Sequence, residues 1–230
     1  MQPLTHGIFD HIKEADQPAP PTWPQDYIAF WEFENNTNDT TGTYDATAYG
    51  ISYAAGKNGQ CAVFAPNDYV VTGLLSEDIF LGNDPYTLAF WFKSSVPATY
   101  AFMLGVCEAG SGFSACVGAT GGGGTGQVGF TRVSAVFTSA DYCDGNWHFC
   151  FLSYDGSDII LNIDNVDNNT IADANTLSTA GSWSGNPLTF GRLGSYNGLY
   201  WDGCLDQFLV YDRCLTPTER GQLWNSGDGR

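Results

Sequence analysis

The chain consists largely of short apolar and aromatic runs separated by Gly, Pro, Asn and Asp, a pattern typical of many short strands joined by turns. Gly occurs 28 times and Pro 10 times in 230 residues, which is too often for a helical bundle. The alternation of strands and helices that a parallel sheet requires is missing. We therefore predict an all-β fold, with strands at residues 27–33, 60–64, 69–72, 86–93, 100–106, 113–117, 127–137, 147–154, 159–163, 188–190 and 205–211.

The charge of the chain excludes several classes of partner. Lys and Arg total 8 and Asp and Glu total 25, which gives a formal net charge of −17. Such a surface lacks the cations that neutralise nucleic-acid phosphates or bind anionic lipid headgroups. No apolar run reaches the roughly 18 residues of a membrane-spanning helix. We expect neither nucleic-acid binding nor membrane insertion.

The chain divides into an N-terminal arm with a Pro-rich linker, residues 1–25, and one domain, residues 26–230. Leu4, Ile8 and Ile12 repeat every four residues and, with Phe9, form one apolar face, while prolines follow from residue 18 onward. Two interpretations stay open: a disordered tail with a stiff linker, or an arm that docks this face on a protein partner or a neighbouring subunit.

The N-terminus also bears on localisation. It lacks the basic region followed by an apolar region that marks a secretory signal peptide. We expect an extracellular or virion-surface protein that is exported by another route, such as release within an assembled particle or cleavage of a preceding segment.

One short helix is predicted near the C-terminus. Thr216 and Glu219 have the spacing of a capping box, with Pro217 at the first helical position. Leu223 and Trp224 follow, and we expect them to seal one end of the domain.

Seven cysteines leave at least one thiol unpaired, because the number is odd. Cys143 and Cys150 flank one turn, and Cys107 and Cys116 flank another, so either pair could face each other across a hairpin. We favour free thiols over disulfides.

The order of several short motifs then points to a family. The motifs lie at residues 30–33, 59–64, 67–70, 86–92, 145–149, 190–192 and 202–213. Together they resemble the laminin-G-like, concanavalin A-like jelly-roll family over residues 26–227. The resemblance implies an antiparallel β-sandwich of two sheets. Members of this family serve as lectin modules, adhesion domains, parts of hydrolases and structural proteins of viruses, so the resemblance implies a fold and no single function.

Catalysis has little support in the sequence. Related jelly-roll endoglucanases carry a Glu-x-Asp-x-x-Glu pattern, because retaining hydrolysis needs two carboxyl groups about 5–5.5 Å apart. This chain lacks the pattern, and Glu32 and Glu34 are its closest approach to a catalytic pair. His148 follows Trp147 inside a predicted strand, where the resemblance implies a structural role. We expect no enzyme activity.

Calcium is the cofactor that the composition favours, because a hard cation binds carboxylate and carbonyl oxygens. In this type of jelly roll the first and last strands pair, so Glu32 and Asp206 are predicted to approach each other. Asp39 and the carbonyl of Gly59 would supply further oxygens for a structural Ca²⁺. The alternative is that Asp206 hydrogen-bonds a neighbouring turn.

Aromatic residues in polar loops are candidates for ligand binding. Trp183, Tyr196, Tyr200 and Trp201 lie in segments rich in Gly, Ser and Asn. Sugar rings stack on flat aromatic faces and hydrogen-bond to nearby polar groups. The alternative is that Tyr200 and Trp201 pack at the rim of the core.

These observations favour a non-catalytic structural or binding module. The leading hypothesis is a surface-displayed subunit of a larger assembly, such as a virion decoration, fibre or tail protein, attached through its N-terminal arm. The alternative is a soluble lectin-like carbohydrate-binding module that recognises cell-surface glycans. A glycoside hydrolase is the least favoured hypothesis.

Overall fold

The computed structural model describes residues 23–80, 82–96, 101–106, 114–117, 126–132, 134–173, 185–194 and 198–229. Its strands are β1 Ala29–Trp31, β2 Thr47–Tyr49, β3 Ser52–Ala55, β4 Gln60–Phe64, β5 Tyr69–Leu75, β6 Tyr86–Lys93, β7 Ala101–Gly105, β8 Ser114–Val117, β9 Gln127–Thr131, β10 Ala135–Asp141, β11 His148–Tyr154, β12 Asp158–Ile163, β13 Asp167–Ala172, β14 Pro187–Phe190 and β15 Gly203–Tyr211. Its helices are α1 Ser76–Ile79 and α2 Pro217–Trp224, followed by a 3-10 turn, Asn225–Gly227.

The strands form two antiparallel sheets. Sheet A has the order β13-β12-β11-β6-β15-β4-β3, and β1 also pairs with β15. Sheet B has the order β10-β9-β8-β7-β14-β5-β2. The apolar inner faces of the two sheets pack on each other around residues such as Trp31, Phe90, Phe190 and Phe208. The protein is an antiparallel β-sandwich of two sheets with one short C-terminal helix, as the sequence predicts.

A second apolar cluster covers the outer face of sheet A. Trp91, Phe149 and Phe151 point away from the main core because side chains alternate along a strand. Leu223 of α2 packs on them. The prediction that α2 seals one end of the sandwich is therefore wrong: the helix lies on a sheet face, because the outward-facing aromatic residues of sheet A need an apolar cover.

The capping box of α2 is confirmed. The Glu219 amide donates to Thr216 Oγ1 over 3.3 Å, and the Thr216 amide donates to Glu219 Oε2 over 2.8 Å. Asn225 ends the helix in the left-handed region at φ 47°.

Two residues of the predicted linker, Trp23 and Pro24, contact the domain. The Trp23 ring stacks on Tyr27 with centroids 5.6 Å apart, and Tyr211 Oη donates to the Pro24 carbonyl over 3.0 Å. Trp23 and Pro24 therefore pack on the outer face of sheet A. The predicted docking residues lie outside the described part of the chain; they are Leu4, Ile8, Phe9 and Ile12.

The cysteines whose side chains the structure describes are free thiols, as expected. They are Cys61, Cys143, Cys150, Cys204 and Cys214. None of the described helices has the length and apolar character needed to cross a membrane.

Candidate functional site

The outer face of sheet B carries an exposed pair of tyrosines. Strands β2 and β5 place Tyr49 directly opposite Tyr69. Val70, the neighbour of Tyr69, is fully buried in the core, so Tyr69 points outward. The two rings stack with centroids 4.5 Å apart and planes at 14°. Tyr49 is 45% exposed, so this face of the domain presents a flat aromatic surface to solvent.

A loop after β14 adds two side chains to this surface. Gly191 has φ +83°, and a Cβ there would lie 2.7 Å from the Asp68 carbonyl oxygen, so glycine is needed for this close approach. The approach places Arg192 over Tyr69, with its Cζ 3.5 Å from the ring centroid. The Tyr200 centroid lies 6.4 Å from that of Tyr69. We call these four side chains, Tyr49, Tyr69, Arg192 and Tyr200, the tyrosine–arginine patch.

Tyr69 is the inner member of the patch. Tyr49 and Arg192 both lie close to its ring centre and cannot share one face without overlapping, so they cover opposite faces. A ligand therefore meets the outer face of Tyr49 and the guanidinium group of Arg192. Tyr69 is stacked on both faces, and Arg192 is stacked on Tyr69. These contacts hold both side chains in fixed orientations, which lowers the entropy lost on binding.

Arg192 keeps hydrogen-bonding capacity that the protein does not use. Its Nε is buried and has no hydrogen-bond partner. The ion pairs within the described ranges include Arg132 and Arg213 but not Arg192. Asp68 lies close to Gly191, but its Oδ2 accepts from the Ala65 amide over 2.9 Å. The patch therefore combines an aromatic face with a cation that has no carboxylate partner.

Comparison with known sequences identifies the family. The profile described as the concanavalin A-like lectin/glucanases superfamily matches residues 64–219. The chain belongs to this superfamily. No curated protein sequence matches it.

Solved structures share the fold of this superfamily member at low sequence identity. Domain 4 of AbnA, a GH43 extracellular arabinanase from Geobacillus stearothermophilus solved with arabinotriose, matches with TM-score 0.69 and 17% identity, covering 89% of this chain and 98% of that one. The binding domain of Paraclostridial Mosquitocidal Protein 1 matches with TM-score 0.68 and 13% identity, and the match covers 88% of this chain and 52% of that one. The botulinum neurotoxin serotype D binding domain matches with TM-score 0.65 and 13% identity, and the match covers 88% of this chain and 51% of that one. The chain spans about half the length of these toxin domains.

The predicted aromatic residues have different positions in this concanavalin A-like domain. Tyr200 joins the tyrosine–arginine patch. Trp201 is only 1% exposed and packs in the core, 5.9 Å from Phe64 between ring centroids. A buried ring offers no face to a sugar, so the inclusion of Trp201 among the ligand-binding residues is wrong. Trp183 and Tyr196 lie outside the described residues.

The predicted calcium ligands do not form one cluster. Within the described ranges, no three His, Cys, Asp or Glu side chains come together as a metal site. Glu32 is exposed, whereas the buried Asp39 accepts hydrogen bonds from the Phe30 amide at 2.8 Å and the Tyr44 amide at 3.0 Å. Its carboxylate fastens the loop after β1, so Asp39 already has a structural role. Calcium binding stays a prediction.

Asp206 also fastens a loop. Its Oδ2 accepts from the amides of Lys57 at 2.7 Å and Asn58 at 3.0 Å, while its Oδ1 is buried without a hydrogen-bond partner. Burial raises the pKa of Asp206 to about 7, and the nearby carboxylate of Glu34 adds to the rise. The structure thus agrees with the alternative interpretation, in which Asp206 hydrogen-bonds a neighbouring turn.

The candidate catalytic groups have structural contacts. Glu34 accepts a hydrogen bond from the Gln60 amide at 3.0 Å through Oε1, which fastens the start of β4. His148 lies between Asp164, at 2.7 Å, and Asp144, at 3.0 Å. Burial lowers the pKa of His148, but hydrogen bonds to these two carboxylates outweigh it, so the pKa is raised above its ordinary value. His148 therefore connects the turn before β11 with the turn after β12.

Proposed function

We propose that this domain is a non-catalytic glycan-binding module whose ligand lies on the tyrosine–arginine patch. The observation that carries the proposal is the exposed Tyr49 ring, which is stacked on Tyr69 beside the guanidinium group of Arg192. The C–H face of a sugar ring packs on such an aromatic surface, and sugar oxygens accept hydrogen bonds from the guanidinium group. The similarity to an arabinanase domain solved with arabinotriose supports a glycan ligand.

The absence of catalysis is part of the proposal. The patch contains no carboxylate, and hydrolysis of a glycosidic bond normally needs two. Glu34 already binds the Gln60 amide, and Glu32 is an exposed side chain at the end of β1. We expect the domain to hold a glycan without cleaving it.

The test is binding of the full chain to a panel of oligosaccharides and polysaccharides, with affinity then measured by titration calorimetry. Tyr49→Ala is expected to weaken binding by about 2- to 13-fold, because one aromatic contact contributes about 0.5–1.5 kcal/mol. Tyr27→Ala, a change on the outer face of sheet A, is the matched control and should bind like the unmodified protein. Binding of no glycan, an unchanged Tyr49→Ala affinity, or release of reducing ends would contradict the proposal.

We further propose that the domain is displayed on a larger assembly, such as a virion decoration, fibre or tail, at an extracellular or virion surface. The chain enters the domain on the outer face of sheet A. There Arg213 pairs with Asp26 through two hydrogen bonds of 2.6 and 2.8 Å. The tyrosine–arginine patch is on the outer face of sheet B, the opposite side of the sandwich. Attachment through residues 1–22 would therefore leave the patch facing away from the assembly.

Deletion of residues 1–22 tests this attachment. The shortened chain keeps residues 23–27, so we expect it to fold and to bind glycans within about twofold of the full chain. We also expect it to be absent from purified native particles that incorporate the full chain, as measured by quantitative mass spectrometry. Incorporation of the shortened chain at the normal level would contradict the attachment hypothesis.

A further inference from the structure

The cation in the tyrosine–arginine patch indicates what kind of glycan the proposed function involves. In a chain of net charge −17, arginines have many possible carboxylate partners. Arg132 and Arg213 are in ion pairs, and Arg220 donates to Asn165 over 2.8 Å. Arg192 instead lies on a tyrosine ring, with no carboxylate from the described residues within ion-pair distance. Its charge is therefore available to an anionic ligand.

The geometry of Arg192 indicates which anionic group its ligand carries. Its Nε is a buried donor without an acceptor, and Tyr69 holds the guanidinium plane by stacking at 3.5 Å. A guanidinium group presents its N–H donors as a rigid planar fork, which matches the two oxygens of a carboxylate. A single sugar hydroxyl has only one oxygen, so it cannot accept from two of these N–H donors in the way that a carboxylate can. A bound carboxylate would pair the charge and accept from two guanidinium donors at once.

We propose that the ligand is an acidic glycan, in which one sugar ring stacks on Tyr49 while the carboxylate of a neighbouring uronic or sialic acid residue binds Arg192. This inference rests on the proposed function of the patch. The Tyr49 ring centre and the Arg192 Cζ lie no more than about 8 Å apart, the sum of their separations from the Tyr69 centroid. A sugar on the outer face of Tyr49 lies still farther from Arg192, because Tyr49 and Tyr69 both stand between them. One pyranose ring therefore cannot contact both side chains, and the ligand is at least a disaccharide.

The test compares each acidic probe with a neutral partner of matched size. The probes are trigalacturonic acid with its methyl ester, and sialyllactose with its methyl ester, titrated into the full chain at 150 mM NaCl. At this ionic strength the Debye length is about 8 Å, so the distant acidic residues are largely screened. We expect at least one acid to bind about tenfold more tightly than its neutral partner, a difference of about 1.4 kcal/mol.

Variants locate the effect at Arg192. Arg192→Gln should remove the preference, so that the acid and its neutral partner bind this variant with equal affinity, whereas Arg192→Lys should keep part of the preference. Arg220→Gln, a change beside Asn165 away from the patch, is the control and should keep the full preference.

The outcomes separate the two proposals. Equal binding of acid and neutral partner, with sensitivity to Tyr49→Ala retained, would overturn the carboxylate inference and leave glycan binding standing. Equally tight binding of a sulfated trisaccharide would also overturn the carboxylate assignment. Binding of no glycan in the wider panel would overturn the proposed function itself. The comparison of acid with ester needs no variant, so it holds even where Arg192→Gln misfolds.

Discussion

Replacement of Arg132 by Met is expected to lower the free energy of unfolding by about 3–5 kcal/mol. The side chains of Arg132 and Asp173 are both 0% exposed, and the guanidinium nitrogen lies 3.7 Å from the carboxylate. The Arg132 Cζ also lies 3.9 Å from the centre of the Tyr154 ring. Met fills much of the same volume but leaves the Asp173 carboxylate buried without its cation, and that uncompensated charge is the main cost.

Arg132 also connects parts of the chain that are distant in sequence. It follows β9 of sheet B directly, whereas Asp173 follows β13 of sheet A. Arg132 Nη2 donates to the carbonyl of Gly82 and to Asn83, and Asp173 accepts from the Ser134 amide at 3.1 Å. Loss of Arg132 therefore removes a polar connection between the two sheets, and we expect the loss to affect the cooperative unfolding of the whole domain.

Urea denaturation followed by tryptophan fluorescence measures the effect. Arg213→Met is the matched control, because Arg213 forms ion pairs with Asp26 and Glu219 but is 34% exposed. Solvent screening should limit its loss to about 1 kcal/mol or less. The combined change of Arg132→Met with Asp173→Asn should recover part of the stability by removing the buried charge. If Arg132→Met lowers the free energy of unfolding no more than Arg213→Met does, the buried ion pair contributes no more to stability than an exposed one.

The same connection explains a limit of sequence-based prediction. Residues 127–137 read as one strand because apolar residues dominate them, yet the structure has two strands, β9 and β10. The reversal between them is held by the Arg132 amide, which donates to the Ser134 carbonyl at 3.0 Å, and by the bond from Ser134 to Asp173. Asp173 is distant in sequence, so the local pattern contains no signal for this turn.

Strands were predictable where burial shows in the sequence. The bounds of β6 are those predicted, because Tyr86–Lys93 is apolar on both faces and both faces are covered in the structure. Strand β2 is exposed along its length, at the edge of sheet B, and lacks any apolar alternation. Its pairing with β5 is a tertiary contact, so the sequence did not predict β2 or the position of Tyr49 opposite Tyr69.

The candidate site was only partly predictable for the same reason. Loop composition predicts Tyr200, but its neighbours in the patch come from β2, β5 and the loop after β14. The same loop composition also predicts Trp201, which follows Tyr200 directly, as a ligand-binding residue. In an extended segment adjacent side chains point in opposite directions, so Tyr200 faces the patch while Trp201 enters the core.

Asp206 supplies the second large expected effect, a dependence of stability on pH. The pKa of its carboxyl rises from the ordinary 3.8 to about 7 in the folded protein, chiefly through burial. Between these two pH values the folded state keeps a proton that the unfolded chain has released. The free energy of unfolding therefore falls as pH rises from about 4 to about 7, by an amount on the order of 2–4 kcal/mol.

Asp206→Asn should remove this dependence. An asparagine oxygen can still accept from the amides of Lys57 and Asn58, and the side chain carries no charge at any pH. We expect the variant to resemble the unmodified protein at pH 4.5 and to be more stable at pH 8 by about 2–4 kcal/mol. Chemical denaturation of both proteins across this range gives the difference directly. Groups that do not interact with Asp206 titrate alike in both proteins, so their contributions to the free energy of unfolding cancel in the difference.

Asp39 provides the matched control, because it is also a buried aspartate that fastens a loop. Burial raises its pKa, but hydrogen bonds from Thr41 and from the Phe30 and Tyr44 amides outweigh this and lower it. Its contribution to stability is lost only as pH falls below about 4, so Asp39→Asn should destabilise the protein by a similar amount at pH 4.5 and pH 8. If the difference in free energy of unfolding between Asp206→Asn and the unmodified protein is also the same at both pH values, burial of the Asp206 carboxylate does not govern the pH dependence of stability. A difference that grows with pH at position 206 alone would mark Asp206 as a carboxylate whose ionisation opposes folding.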